Sequence, residues 1–208
     1  MESKILWTEY ALPEFGFPLF IIWITNRFFL ESETIRWLLI IWTLLLVWFY
    51  RPQPDRVSWS AATREILSPC EGKIYKILKF PGGYWEIVVH LDLTDNHLQY
   101  CPLVAAKIIK QSNRRGKGDI ERARTFFENS EGRVVVDQIV KEPRYGSWLP
   151  KFLVKTRIVN WAVGDINGGQ SYGMIRFGSM ISIYLPRRAK ILVRKNQQLK
   201  PGILIGKF

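Results

Sequence analysis

The sequence predicts a mainly β protein, one compact β domain preceded by an N-terminal helical hairpin. Three observations carry that reading. Two apolar stretches, Phe15 to Leu30 and Trp37 to Tyr50, lie close together near the start of the chain. From Ser68 onward the apolar residues come instead in short runs rich in Val, Ile and Tyr, bounded by Gly and Pro, which is the pattern of strands and turns. The 208 residues suffice for one domain of ordinary size plus a hairpin. The expected organisation is a membrane-anchoring hairpin over residues 1–50, a linker over 51–67 and a β domain over 68–208.

The first apolar stretch is interrupted only by Thr25-Asn26-Arg27, and the second is almost wholly apolar. Each is shorter than the ~20 residues of a typical spanning helix. Flanking residues, with Trp and Arg at the ends, extend each toward a span, so the pair fits a transmembrane hairpin or a re-entrant one dipping into one leaflet. Two buried core helices are the alternative, but so short a chain offers few partners to bury them. The turn Glu31-Ser32-Glu33-Thr34 supplies Ser32 as a helix N-cap candidate. Arg51, Arg56 and Arg64 follow the second helix, which by the positive-inside rule places the main domain on the cytosolic side of a membrane. Pro52 and Pro54 end the hairpin. Strands are expected at Lys73–Phe80, Trp85–Leu93, Arg133–Val140, Lys155–Val163 and Met180–Leu185. The basic stretch Gly116–Phe127 reads as a surface loop leading into a short helical turn.

A formal net charge of +12 points to an anionic partner, either nucleic acid or an acidic lipid surface. Nine tryptophans, several flanking apolar runs, favour the lipid surface, because Trp prefers the headgroup interface. Nothing in the sequence has the pattern of a phosphate loop, a zinc-ligand set or a recognition helix, so no nucleic-acid partner and no metal are expected. Cys70 and Cys101 form no disulfide framework and read as buried thiols in a reducing compartment. No small-residue cleavage site follows the first apolar stretch, so it reads as an anchor rather than a cleaved signal. A homo-oligomer stays open.

The chemistry-bearing segment is Tyr172-Gly173-Met174-Ile175-Arg176-Phe177-Gly178-Ser179. Gly178 leaves its carbonyl uncrowded on a backbone that tolerates strain. Ser179 sets a hydroxyl beside that carbonyl. Attack by the hydroxyl turns the amide into an ester, elimination of the ester leaves dehydroalanine, and hydrolysis gives a pyruvoyl group capping a new chain. Taken alone, a Gly-Ser pair also fits a turn. The two histidines, His90 and His97, lie an odd number of positions apart, so strand alternation puts them on opposite faces and not in one metal site. Arg176 could neutralise a phosphate or carboxylate, or simply face solvent.

Gly169 to Ser179, Ser68-Pro69-Cys70-Glu71-Gly72-Lys73 and Thr94-Asp95-Asn96-His97 together resemble, in the same order, the phosphatidylserine decarboxylase family. The family reads approximately SPADGKV, FDVHVNRAP, NERN and GxxxGxIxFGS, and the segment Phe49 to Arg56 is similar to its FFRDPER linker. The likeness is strongest to the short, membrane-anchored subgroup that includes archaetidylserine decarboxylases, and it runs from about Phe15 to the end. The C-terminal stretch Ile191 to Gly206 similarly resembles the closing hairpin of barrel-sandwich hybrid folds.

The resemblance implies self-cleavage between Gly178 and Ser179, a pyruvoyl cofactor derived from Ser179, and an anionic serine phospholipid as substrate, converted to the ethanolamine phospholipid. It implies that Glu71, in place of an Asp, helps activate the serine, and that His97 transfers a proton during turnover. Glu71 could otherwise be an exposed turn residue. Tyr100 stands where relatives carry a second His or an Arg, and with Arg176 is the expected substrate-binding pair. Met180 replaces the usual Thr or Arg, and Asn129-Ser130-Glu131-Gly132 keeps only the Asn of its motif. These departures support a rival reading, a catalytically degenerate member serving as a membrane-bound structural or interaction protein. A lipoyl- or biotin-type carrier would need a modifiable Lys at a hairpin tip, and Lys195 lacks the flanking Met pattern.

Overall fold

The computed structural model describes residues 16–27, 32–49, 62–92, 95–115, 120–141, 158–175 and 179–208. The chain divides into two units, Met1–Pro54 and Asp55–Phe208.

In the first unit both apolar stretches are helical, as α1 (Phe17–Thr25) and α2 (Glu33–Phe49). Pro18 sits in the first turn of α1, where its missing N–H costs nothing. The polar interruption at Asn26 has a structural use. Its side chain accepts the Ser32 N–H at 3.1 Å and donates to the Ser32 carbonyl at 3.3 Å, clipping the connection between the helices. Ser32 Oγ in turn accepts the Ile35 N–H at 3.5 Å, at the N-cap position the sequence indicates. Among the described residues no helix is long and apolar enough to cross a membrane. Phe20, Ile21, Trp23, Trp37, Leu38, Trp42 and Leu44 are all exposed.

The second unit is built of fourteen described strands. They are β1 (Glu65–Leu67), β2 (Gly72–Lys79), β3 (Trp85–Leu91), β4 (Leu98–Tyr100), β5 (Ala106–Arg115), β6 (Ile120–Glu128), β7 (Arg133–Lys141), β8 (Ile158–Asn160), β9 (Gly164–Ile166), β10 (Ser171–Ile175), β11 (Ser179–Leu185), β12 (Lys190–Ile191), β13 (Gln198–Leu199) and β14 (Leu204–Lys207). An eight-stranded sheet runs β13-β2-β3-β11-β7-β6-β5-β9, and two three-stranded sheets run β4-β10-β8 and β1-β14-β12. Alternation drives Ile87, Val89 and Leu91 of β3, Ile181 and Ile183 of β11, Val134 and Val136 of β7, and Ala123 and Phe127 of β6 into one core. Tyr172 of β10 joins it, its ring edge-on to Phe127 at 4.9 Å.

The mainly β expectation agrees with this architecture. One stretch needs correction. Ile120–Glu128, expected within a loop and a helical turn, is a strand paired with both β5 and β7. Its buried Ala123, Thr125 and Phe127 alternate with Arg122, Arg124 and Phe126, and the outward arginines mask the strand period. Lys155–Val163 contributes only the short β8, with 155–157 outside the described residues. The C-terminal segment is a hairpin only at its base, where β12 pairs with β14, while β13 between them pairs with β2.

On the outward face, Asp137 of β7 is fully buried and grips Arg124 of β6 through two hydrogen bonds, at 2.5 and 2.6 Å. Arg124 also lies over the Tyr184 ring, at 5.6 Å. Removing the arginine would leave a buried carboxylate without its partner. Arg124→Met should therefore lower unfolding free energy by about 3 kcal/mol, the low end for broken buried pairs because Arg124 is 41% exposed. Urea denaturation of the two proteins measures the difference, and equal midpoints would contradict it.

Candidate active site

Three segments distant in sequence are tied together by backbone hydrogen bonds. The Ile175 N–H, at the end of β10, donates to the His97 carbonyl at 3.0 Å. Tyr100 N–H donates to the Pro69 carbonyl at 2.8 Å, and Cys101 N–H to the Gln170 carbonyl at 2.9 Å. The Ser68-Pro69-Cys70 corner is itself fixed to the C-terminal turn, Ser68 N–H donating to Ile203 at 2.7 Å and Gly202 N–H to Ser68 at 3.0 Å. Within the corner, Ser68 Oγ donates to the Cys70 carbonyl at 2.8 Å.

Gly72 lets this corner lie against β3. Its φ of +143° favours glycine, and a methyl there would strike the His90 carbonyl oxygen and the Val89 side chain. The preceding Glu71 is thereby aimed at the other motif: its Oε2 accepts the Asn96 N–H at 3.1 Å. Glu71 is partly buried and engaged, rather than a solvated turn residue. A carboxylate accepting one such bond retains lone pairs for a proton.

His97 is only 2% exposed. Its Nδ1 lies 2.8 Å from the Asp95 carbonyl. A carbonyl only accepts, so Nδ1 carries the hydrogen and, in the neutral ring, Nε2 holds the lone pair. Asn96 Oδ1 accepts the Leu98 N–H at 2.7 Å, holding the bend from which the imidazole emerges. His90 is different: it is exposed on the opposite face of its strand, with Nδ1 3.5 Å from Asp92 Oδ1.

Ser179 is the first residue of β11, and its Cα partner is Leu91 at the end of β3. It lies at the same end of the large sheet as the start of β6 and the end of β7. Arg176 and Gly178 lie outside the described residues, between the end of β10 beside His97 and this strand start. The structure thus brings Glu71, His97 and the two strands flanking the Gly178-Ser179 bond to one locality. Tyr100 is buried on β4, in register with Ser171, on the alternate side of the strand from Gln99. Asn129 proves to be a clamp at the far end of the sheet. Its Oδ1 accepts the N–H groups of Glu131 and Gly132, and its Nδ2 donates to the carbonyls of Thr63 and Val104.

Sequence reasoning missed Asn96 as the link between Glu71 and His97. It missed Gln99 as well, whose Nε2 donates to the His97 carbonyl at 3.3 Å. Spacing could have found Gln99, because two residues along a strand returns to the same face.

Cys70 and Cys101 are both buried beside this locality. Burial pushes the Cys70 thiol far above its ordinary value, with the Asp95 and Glu71 carboxylates adding to the effect, and raises Cys101 to about 12. The thiolate is the reactive form, so neither should alkylate in the folded protein at pH 8.5. Iodoacetamide should leave both unmodified until denaturant is added, and rapid native-state modification would contradict their burial.

Comparison with known proteins agrees with this assembly of motifs. The family model described as phosphatidylserine decarboxylase matches residues 42–207. The phosphatidylserine decarboxylase proenzyme of Syntrophus aciditrophicus (strain SB) is 27% identical over 185 residues, covering 84% of each chain. That of Symbiobacterium thermophilum is 30% identical over 188 residues, covering 79% of this chain and 80% of its own. No solved structure matches the chain significantly. The match extends from within α2 to the last strand and takes in every motif assembled above, so the chain belongs to the phosphatidylserine decarboxylase family.

Proposed function

We propose that the protein is a self-processing carboxy-lyase that converts phosphatidylserine, or a related serine phospholipid, to its ethanolamine counterpart. The observation that carries this reading is the gathering of Glu71, His97 and the strands flanking Gly178-Ser179 at one place. In processing, the Ser179 hydroxyl gives up its proton to Glu71 and attacks the Gly178 carbonyl, and the C–N bond yields to an ester. The freed Ser179 nitrogen takes up that proton, loss of the Ser179 Cα proton with cleavage of the Cβ–O bond releases Gly178 as a carboxylate and leaves dehydroalanine, and addition of water to its imine form expels ammonia.

The pyruvoyl cofactor belongs at Ser179, and the surroundings fit such a group. The strand leading into the Gly178-Ser179 bond ends in Ile175, whose N–H is bonded to the His97 carbonyl, so a keto-amide here falls in the same locality as a buried imidazole of fixed tautomer. When formed, its ketone supplies an electron sink for loss of carbon dioxide. His97, held through Nδ1 by the Asp95 carbonyl, can take up a proton at Nε2 and, as the imidazolium, deliver it to the carbon that loses the carboxylate. Its burial keeps bulk water from competing for that step. Arg176 is assigned to substrate binding, whereas Tyr100, on the opposite side of β4 from the His97 face, is not.

The same reading assigns the protein to the short, membrane-anchored subgroup, with α1 and α2 holding the catalytic unit at a membrane and the main domain on the cytosolic side. Exposed Trp, Phe, Ile and Leu on both helices support it, since such surface is costly in water. Arg51, Arg56 and Arg64, following the second helix, support the cytosolic orientation through the positive-inside rule.

Intact-mass measurement of the purified protein tests the processing. Two chains are expected, residues 1–178 and the 30-residue piece 179–208 with a blocked N-terminus. Ser179→Ala should remain one folded chain, and a wild-type protein of single intact mass would sink the reading. Glu71→Gln keeps the acceptor for Asn96 but cannot take the proton, and should slow cleavage roughly 10²–10⁴-fold. In cleaved protein, His97→Ala should reduce decarboxylation by a similar factor, and His90→Ala should leave it near wild type. Normal turnover by cleaved His97→Ala would assign the acid elsewhere. Deletion of residues 1–50 should move the protein to the soluble fraction, and retention on membranes in high salt would contradict the anchoring role.

A further inference from the structure

On the small sheet β4-β10-β8, Gly173 of β10 is in register with both Gln99 of β4 and Asn160 of β8. Gln99 is fully buried, and its Oε1 lacks a hydrogen-bond partner among the described residues. Asn160 Oδ1 and Nδ2 are buried and without partners as well. Gly173 makes the row continuous. A methyl there would land on Asn160 Oδ1, so the missing side chain is what lets the Asn160 amide extend over β10. Amide atoms buried without partners are expensive, and cores seldom contain them without a use.

The row lies beside the proposed chemistry. Gln99 follows His97 by two residues, roughly 7 Å along the strand direction, and donates to its carbonyl through Nε2. That carbonyl also receives the Ile175 N–H, which ties the row to the strand leading into Gly178-Ser179.

We propose that Gln99 and Asn160 form a binding strip for the amino-acid end of the serine headgroup, its amino group and carboxylate. The inference rests on the function proposed above. Gln99 Oε1 and Asn160 Oδ1 can accept from the amine, and Asn160 Nδ2 can donate to the carboxylate. The strip is uncharged, which suits the reaction. A cation on the carboxylate would stabilise the bound substrate more than a transition state in which that charge is leaving. Amides orient the group at a smaller penalty, because a neutral donor holds the departing charge less strongly than a cation.

The test uses the full-length, cleaved enzyme and vesicles containing phosphatidylserine. Asn160→Ala and Gln99→Met should each cleave normally and raise the KM for phosphatidylserine roughly 10- to 100-fold, the effect of losing a hydrogen bond to a charged group. Thermal unfolding should stay within a few degrees of wild type for Asn160→Ala, because the amide lost has no hydrogen-bond partner among the described residues. Gly173→Ala, whose methyl would strike both the Asn160 amide and the Val159 main-chain carbonyl, should raise KM in the same direction and also lower the thermal unfolding temperature. A KM within twofold of wild type in both amide variants would overturn the assignment. So would an Asn160→Ala protein that fails to fold or cleave, because the amide would then be supporting the core. A wild-type protein that neither cleaves nor decarboxylates would defeat the underlying function instead. Wild-type turnover with unaffected variants would defeat the strip alone.

Discussion

The hydrogen bond from the Ile175 N–H to the His97 carbonyl is the constraint on which the site depends. It joins a segment from the middle of the chain to the strand that precedes Gly178-Ser179. Around it, Tyr100 is bound to Pro69 and Cys101 to Gln170, so three short stretches become one rigid object through main-chain groups alone. Such bonds are indifferent to side-chain identity. The site can thus hold its shape whatever side chains stand at positions 71 and 100, because main-chain groups make the bonds that place them. Side-chain precision is layered on top, with the Asp95 carbonyl setting the His97 tautomer and Glu71 bracing Asn96.

Glu71 illustrates how a departure from a motif is absorbed. The longer carboxylate reaches Asn96, the residue immediately before His97, so the same group that would accept the serine proton also fixes the backbone of the imidazole segment. Processing and turnover would then share a scaffold while using different atoms. Gly72 is part of the same device, because only a residue without a side chain permits the corner to approach β3 this closely.

Much of this was legible in the sequence, and the illegible part has physical causes. The helices announce themselves by unbroken apolar runs, and β2, β3, β7 and β11 by Val- and Ile-rich segments between Gly and Pro. β6 hid because Arg122 and Arg124 occupy its outward positions, and the partner of Arg124, Asp137, is buried on a neighbouring strand that sequence cannot place. Ser179 is singled out by the Gly-Ser pair and His97 and Glu71 by motif likeness, whereas the placing of their segments together depends on long-range backbone bonds that leave no local signature. Asn160 was invisible for the same reason. Its significance comes only from standing across Gly173 from Gln99.

The most direct test of the account is carbonyl labelling of the purified wild-type protein with a hydrazide, followed by mass analysis of the separated chains. The account predicts one hydrazone on the piece beginning at position 179, none on residues 1–178, and none anywhere in Ser179→Ala. A piece that begins with an unmodified serine amine and takes up no hydrazide would contradict it.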